Sequence, residues 1–287
     1  MKRIRRGWAL TKKSWTLLNE HRELIRFPLY GGVATVLLGI LLLGPGAYFL
    51  DQHSYGAAIP FIVIGIYVLS VVGTYFSVGL AAAADRIFSG QEATVADGLA
   101  VARSHFAAIC GWAALATAVG VIVGALEQQG GVFGEIAGRL AGMAWSLVTF
   151  LAVPVIAIEG TGPLATLKRS ASLFRQRWGQ QITGNLVIGG VVFLLGLLPA
   201  AALIAVGVVI WPSAGFVGAL LIVIGALVIC VALLISKAIS GIFGVALYRY
   251  ALDGEVVGGF TQEDLESAVR VKGARRGTTP GATPGTV

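Results

Sequence analysis

The chain of 287 residues is 56% apolar and only 12% charged, and its 21 Lys and Arg residues exceed its 14 Asp and Glu residues to give a net charge of +7. Soluble domains are about 45–50% apolar and about 25% charged, whereas the mean hydropathy here is +0.85. A water-soluble fold of this size could not bury so much apolar surface. The composition therefore excludes a soluble globular protein and predicts an integral membrane protein.

Residues 1–26 predict a basic amphipathic helix that lies on the cytoplasmic surface of the membrane. Trp8 and Trp15 follow its apolar side and its flank is basic, a pattern typical of helices in the headgroup region. The candidate contacts to anionic lipid are Lys2, Arg3, Arg5, Arg6, Lys12 and Lys13. Two interpretations stay open, a structural anchor that orients the first span and a segment that senses lipid or binds a partner.

Six apolar segments within residues 27–252 are long enough to cross the hydrocarbon as helices, which takes about 20 residues. Strands that span membranes alternate over about 10 residues instead, so the predicted fold is all-α with six transmembrane helices. Pro154 lies inside the fourth segment and predicts a kink there. The predicted spans are 27–50, 57–84, 107–126, 140–158, 182–210 and 214–235.

The basic residues fix a predicted orientation. Eight Lys and Arg residues precede the first span, two follow the second, four follow the fourth and five lie in the C-terminal part, whereas Arg139 alone lies in a loop on the other side. Cytoplasmic loops carry the excess of Lys and Arg in multi-pass proteins. Both termini are therefore predicted to be cytoplasmic.

Two short amphipathic helices are predicted between the spans, on the same side as the termini. One opens at a capping box formed by Thr94 and Asp97, and the other opens at Pro163. At an offset of 68 residues the two segments share a Leu, a Ser and a Phe. We interpret the chain as three hairpins in the same orientation, each preceded by a cytoplasmic amphipathic helix.

The residues after the last span are predicted to be cytoplasmic as well. Thr261 as an N-cap and the pair Phe260 and Leu265 as a hydrophobic staple predict a short helix within 253–271. Residues 272–287 are rich in Arg, Thr, Pro and Gly and have nothing apolar to bury, which predicts a disordered basic tail.

One polar series stands out inside the spans. Its four members follow each other at helical spacing on one face of helix two: Tyr67, Ser70, Thr74 and Ser77. Such a face avoids lipid, because unsatisfied polar groups in hydrocarbon cost free energy. It lines a pore or polar pocket, or it hydrogen-bonds to neighbouring helices.

Three charged residues are predicted at the inner boundary of the membrane. Asp85 and Glu159 mark the cytoplasmic ends of helices two and four, and Lys237 ends helix six. We expect the carboxylates to pair with Lys237 or Arg86. For Lys237 two roles are open: its ammonium group reaches the headgroups or an acidic partner, or it takes part in transport or lipid binding.

The sequence contains no recognisable catalytic or cofactor motif. It lacks HExxH, a P-loop, GxGxxG after a strand, and GxSxG. None of the three histidines has a carboxylate three or four residues away, and Cys110 and Cys230 lie alone in apolar runs. We therefore predict no enzymatic activity, no cofactor, no metal and no nucleic-acid partner.

Five segments resemble a known family. They read RRGWALTKKS at 5–14, ELIRFP at 23–28, VPVIAIEG at 153–160, KRS at 168–170 and ALYRY at 246–250. Together they resemble an uncharacterised family of six-helix prokaryotic membrane proteins and, more distantly, the membrane domains that accompany some glycerophosphodiester phosphodiesterases. The resemblance implies a plasma-membrane location and this architecture, and it implies no catalytic residues.

Two function classes remain after these observations. The first is a non-catalytic scaffold, assembly or lipid-interacting protein, with anionic lipids and a possible protein partner at its cytoplasmic face. The alternative is a transporter or channel for a small solute or lipid, although no charged residue lies near the middle of a predicted span. The sequence does not determine the oligomeric state.

Overall fold

The computed structural model describes Thr16, residues 20–129, 131–178 and 198–262, and Leu265. All regular secondary structure in these parts is α-helical, which confirms the all-α part of the predicted fold class. In chain order the helices are α1 (Glu23–Asp51), α2 (Tyr55–Phe88), α3 (Val95–Ser104), α4 (Phe106–Gln129), α5 (Gly131–Val148), α6 (Ala152–Glu159), α7 (Pro163–Trp178), α8 (Leu198–Ile210) and α9 (Gly215–Asp253).

Five helical segments are long and apolar enough to cross a membrane. They are α1, α2, most of α4, the stretch Gly134–Glu159 that joins α5 to α6, and α9, and they match predicted spans one, two, three, four and six. The fifth predicted span is described only at its end, where α8 has 13 apolar residues. Residues 182–197 lie outside the described residues, so the fifth predicted span, and with it the total of six transmembrane helices, stays a prediction.

The helices share two ends. The short connections 52–54 and 211–214 lie at one end, which we call the turn end. Helices α3 and α7 and the C-terminal residues 254–262 lie at the other, which we call the basic end. The positive-inside pattern predicts that the basic end is cytoplasmic.

Helices α2 and α9 are much longer than a bilayer requires. Their 34 and 39 residues correspond to about 51 and 58 Å, against about 30 Å of hydrocarbon. Twenty residues from the turn end, at about 30 Å, the chain has reached Tyr75 in α2 and Ile235 in α9. The remainder of each helix, toward the basic end, exceeds the length that the hydrocarbon needs, and the predicted sixth span, which ends at residue 235, is shorter than its helix.

The compact interior of the protein lies in these extensions. Its two clusters of buried side chains include Leu24 and Phe27 of α1, the segment 80–84 of α2, and most of 238–251 in α9. Most large apolar side chains nearer the turn end are exposed or half-buried instead, up to 83% exposed for Phe216. The described bundle is therefore packed like a globular core at the basic end, while its spanning part offers apolar surface to lipid.

Helix α3 folds back along the basic end of α2. The Thr94 hydroxyl accepts from the Asp97 N–H at 3.2 Å, and the Thr94 N–H donates to Asp97 Oδ2 at 3.0 Å, which confirms the predicted capping box. The Thr94 N–H and the Thr94 hydroxyl, which donates to Asp97 Oδ2 at 2.7 Å, lower the pKa of the Asp97 carboxyl group together with the nearby Arg86 guanidinium. A Cβ atom added at Gly98 would overlap the carbonyl oxygen of Gly79, so α3 lies in backbone contact with α2.

Candidate functional site

The two predicted boundary carboxylates lie in hydrogen-bonded clusters at the basic end. Asp85 Oδ1 accepts from Arg249 Nε at 2.7 Å, and Arg249 Nη2 also donates to the Asp85 carbonyl oxygen at 2.8 Å. Glu159 Oε1 accepts from Arg169 Nε at 2.8 Å and from the Tyr248 hydroxyl at 2.7 Å. We call these residues the basic-end clamp.

The partners differ from those that the sequence suggested. Neither carboxylate pairs with Lys237 or Arg86 in the described structure; Arg86 pairs with Asp97 at 3.4 Å. The reason is the length of α9, which continues to Asp253 and so brings Tyr248 and Arg249 to the ends of α6 and α2. Neighbouring residues on a helix point about 100° apart, and one turn of α9 therefore reaches both carboxylates.

The clamp joins the ends of α2 and α6 to α9 and α7. The Arg249 side chain is 14% exposed and its partner Asp85 26%, and Tyr248 is buried. The hydrogen bond to Glu159 raises the pKa of Arg169, so the Arg169 guanidinium stays protonated across the physiological range. Among the residues described, no group of three His, Cys, Asp or Glu side chains could hold a metal ion.

A buried serine joins α7 to an interruption in the fourth predicted span. Helix α5 ends at Val148 and α6 begins at Ala152, and Pro154 provides no N–H for the carbonyl group four residues earlier. The Ser170 hydroxyl donates to the Val148 carbonyl oxygen at 2.6 Å and accepts from the Leu151 N–H at 3.2 Å. The sequence predicted a kink at Pro154, and the structure has an interruption of the helix directly before it. Ser170 bonds the Val148 carbonyl group and the Leu151 N–H at this interruption.

Replacing Ser170 with Ala should lower the free energy of unfolding by about 2 kcal/mol, because the buried Leu151 N–H loses its acceptor. The measurement is a thermal or denaturant unfolding curve of the full chain in detergent. Ser172→Ala on the same helix is the control, since Ser172 only accepts from Gln176 in an exposed contact at 3.1 Å. Equal losses in both variants would contradict the bridging role of Ser170.

The polar series of α2 makes its described hydrogen bonds within the protein. Thr74 Oγ1 donates to the Ser70 carbonyl oxygen at 2.8 Å, Ser77 Oγ to the Gly73 carbonyl oxygen at 2.7 Å, and the Tyr67 hydroxyl to the Cys110 carbonyl oxygen at 3.5 Å. All four side chains are half-buried. Three of the four hydroxyl groups therefore donate to backbone carbonyl groups of the protein, so they need no water-filled cavity to provide an acceptor.

Lys237 lies against the same face of α2. Its side chain is exposed, and its Nζ is 4.0 Å from the position that a Cβ atom would take at Gly73. Gly73 falls between Ser70 and Ser77 at spacings of three and four residues, on one helix face. The structure thus places the Lys237 ammonium group beside the polar series of α2, a contact that the sequence did not predict.

The remaining predicted residues fall partly outside the described chain. The six N-terminal lipid contacts, Lys2, Arg3, Arg5, Arg6, Lys12 and Lys13, lie outside it, as does the tail 272–287. In the predicted C-terminal segment 253–271, Phe260 packs edge-on against Phe243 with ring centres 5.5 Å apart, and Leu265 is buried.

Sequence reasoning missed the residues that complete the clamp and the bridge: Arg169, Ser170, Tyr248 and Arg249. A signal was present for one of them, because Arg249 is the only charged residue in the apolar run 238–252. A single Arg in such a run predicts a partly buried acidic partner.

Five spanning-length apolar helices and an interior made only of helices, within the described residues, are the features of a multi-pass α-helical membrane protein. Residues 55–259 match a family of unknown function, DUF6159. The chain belongs to this family. No curated protein and no solved structure matches it. The resemblance to membrane domains of glycerophosphodiester phosphodiesterases and the prokaryotic origin stay predictions.

Proposed function

We propose that this protein is a non-catalytic scaffold or assembly protein of the prokaryotic plasma membrane. It spans the membrane six times, as three hairpins, with both termini in the cytoplasm. Each hairpin is preceded by an amphipathic helix, of which the first, residues 1–26, lies on anionic lipid. The protein holds a folded helical layer against the inner face of the membrane, where a protein partner docks.

The observation that carries this proposal is the position of the buried core. Most of it lies in the basic-end parts of α1, α2, α6 and α9, in the first turns of α4, and in α3 and α7. In α2 and α9 these parts exceed the length that the hydrocarbon needs. The clamp holds these extensions together through Asp85–Arg249 and Glu159–Arg169. A rigid layer at the membrane surface suits a protein that positions other molecules.

The packing of consecutive helices supports the hairpin arrangement. Helix α1 packs along α2, α4 along α5, and α8 along α9. In the last of these pairs, a Cβ atom at Gly218 would lie 2.7 Å from the Gly207 carbonyl oxygen, so the two backbones are in contact. Helices α3 and α7 occupy the places predicted for the second and third amphipathic helices.

The scaffold and the transporter differ in whether the polar series of α2 contacts water. We expect cysteines placed at Ser70 and Thr74, with Cys110 and Cys230 replaced by Ser, to stay unreactive toward a membrane-impermeant thiol reagent. Their side chains are half-buried and Thr74 is bonded within its own helix. Labelling is measured by a gel shift on intact cells and on permeabilised cells. Reaction at both positions in the folded protein would favour the transporter and overturn the proposal.

Two further cysteines calibrate the same experiment. Ser213 is exposed in the turn-end connection and Ser172 lies on α7 at the basic end. A cysteine at Ser213 should react in intact cells, and one at Ser172 only after permeabilisation. The reverse pattern would show that the basic end faces outward and would contradict the proposed orientation.

A further inference from the structure

We propose that Lys237 and the polar face of α2 form a binding site for the phosphate group of an anionic phospholipid. The site lies where α9 crosses α2, with the Lys237 Nζ over Gly73 and between the levels of Ser70 and Ser77. This inference deepens the proposed function, because it identifies where the protein binds lipid. It rests on the membrane-spanning arrangement proposed there.

Lys237 has no acidic partner among the described residues. Asp85 and Glu159 belong to the clamp and pair with Arg249 and Arg169. Arg249 lies twelve residues further along α9, which is about 18 Å at 1.5 Å per residue. The remaining part of the predicted fifth span, 182–197, contains no Asp or Glu. The described residues and the segment 182–197 therefore supply no acidic partner for the exposed Lys237 ammonium group, which leaves it available to an external anion.

The depth of Lys237 matches the phosphate groups of one leaflet. It lies 22 residues from the start of α9, and Gly73 lies 18 residues from the start of α2. Both distances, about 33 and 27 Å, come close to the thickness of the hydrocarbon, about 30 Å. The two helices place the site independently at the inner boundary, where phospholipid headgroups begin.

The surroundings of Lys237 suit a phosphate oxygen. Gly73 has no side chain to cover the α2 backbone, and apart from Lys237 no described residue of another helix comes within 4 Å of the position that a Cβ atom would take there. Along the same face, the Ser70 hydroxyl makes no hydrogen bond to any described residue, whereas Thr74 and Ser77 bond to their own helix. A strongly hydrated ammonium and a free hydroxyl donor are the groups that bind a phosphate anion.

The test counts phospholipids on the intact full-length protein by mass spectrometry after release from detergent micelles. The probes are phosphatidylglycerol, phosphatidylcholine and inorganic phosphate. We expect preferential retention of one phosphatidylglycerol, with about fivefold weaker binding after Lys237→Ala, as for the loss of one Lys at a membrane surface. Lys237→Arg should keep the binding, and Gly73→Leu should weaken it while leaving the charge in place.

Lys168→Ala is the matched control, because it removes one exposed cation from α7, outside the contact between α2 and α9. An equal loss in this variant would mean general charge attraction and would overturn the site, as would unchanged binding in Lys237→Ala. Full competition by inorganic phosphate would identify a free anion as the ligand and overturn the lipid assignment. Thiol labelling at Thr74, whose hydroxyl bonds within its own helix and is not a proposed phosphate donor, tests the scaffold function separately, so failure of one proposal is distinguishable from failure of the other.

Discussion

Replacing Arg249 with Met should lower the free energy of unfolding by about 3 kcal/mol, the largest loss that we expect from a single side chain at the basic end. The substitution leaves Asp85 without its charged partner in a half-buried position, and breaking a buried ion pair costs about 3–5 kcal/mol. The value falls at the lower limit because the Asp85 side chain keeps some contact with water. Thermal unfolding of the full chain in detergent measures the change.

A second variant separates the ion pair from the bulk of the Arg side chain. Asp85→Asn in combination with Arg249→Met removes both charges, and the double variant should recover part of the loss. Arg175→Met is the matched control, since Arg175 is exposed on α7 and has no ion pair among the described residues. Equal stability of Arg249→Met and Arg175→Met would contradict the clamp.

Replacing Gly98 with Val should detach α3 from α2 and lower the free energy of unfolding by about 3 kcal/mol. A Cβ atom at this position would overlap the Gly79 carbonyl oxygen and lie 2.6 Å from Phe27 Cζ. Phe27 is itself buried, so neither neighbour can move without a cavity or a backbone shift. A cysteine at Ala102, buried in wild-type α3, should become reactive toward a thiol reagent in the variant.

Gly120→Val provides the comparison for this experiment. No atom lies within 4 Å of a Cβ position at Gly120, and the residue is exposed on α4. We expect that variant to keep both its stability and the protection of Ala102. If Gly98→Val also keeps its stability and the protection of a cysteine at Ala102, the contact between α3 and α2 does not depend on Gly98.

The buried core at the basic end contrasts with the exposed apolar side chains of the spanning segments. Exposed side chains such as Ile40 and Val209 would be a liability in a soluble protein, but they lie on segments that cross the bilayer. The hydrophobic effect provides little attraction between helices that are surrounded by lipid tails, whereas it favours packing wherever helices contact water. The tight packing of the described residues is concentrated at the basic end, which agrees with the proposal that this end lies outside the hydrocarbon.

The all-α class, five spanning segments, the capping box of α3 and the interruption near Pro154 could all be predicted from the sequence. These features depend on apolar length, on local hydrogen bonding between residues three apart, and on a missing N–H group, and each is readable in a short stretch of chain. The partners of Asp85 and Glu159 were not readable in this way. They depend on the continuation of α9 to Asp253. The apolar sequence alone does not indicate that this helix continues beyond the length that the hydrocarbon needs.

The meeting of distant residues is a property of the folded bundle alone. Ser170 caps the break at 148–151 from another helix, Tyr248 and Arg249 reach carboxylates 89 and 164 residues away, and Lys237 lies over Gly73. Each of these contacts follows from the relative depth and rotation of packed helices. Helix periodicity predicts the helix face on which a residue lies. Which other helix contacts that face depends on how the whole bundle packs.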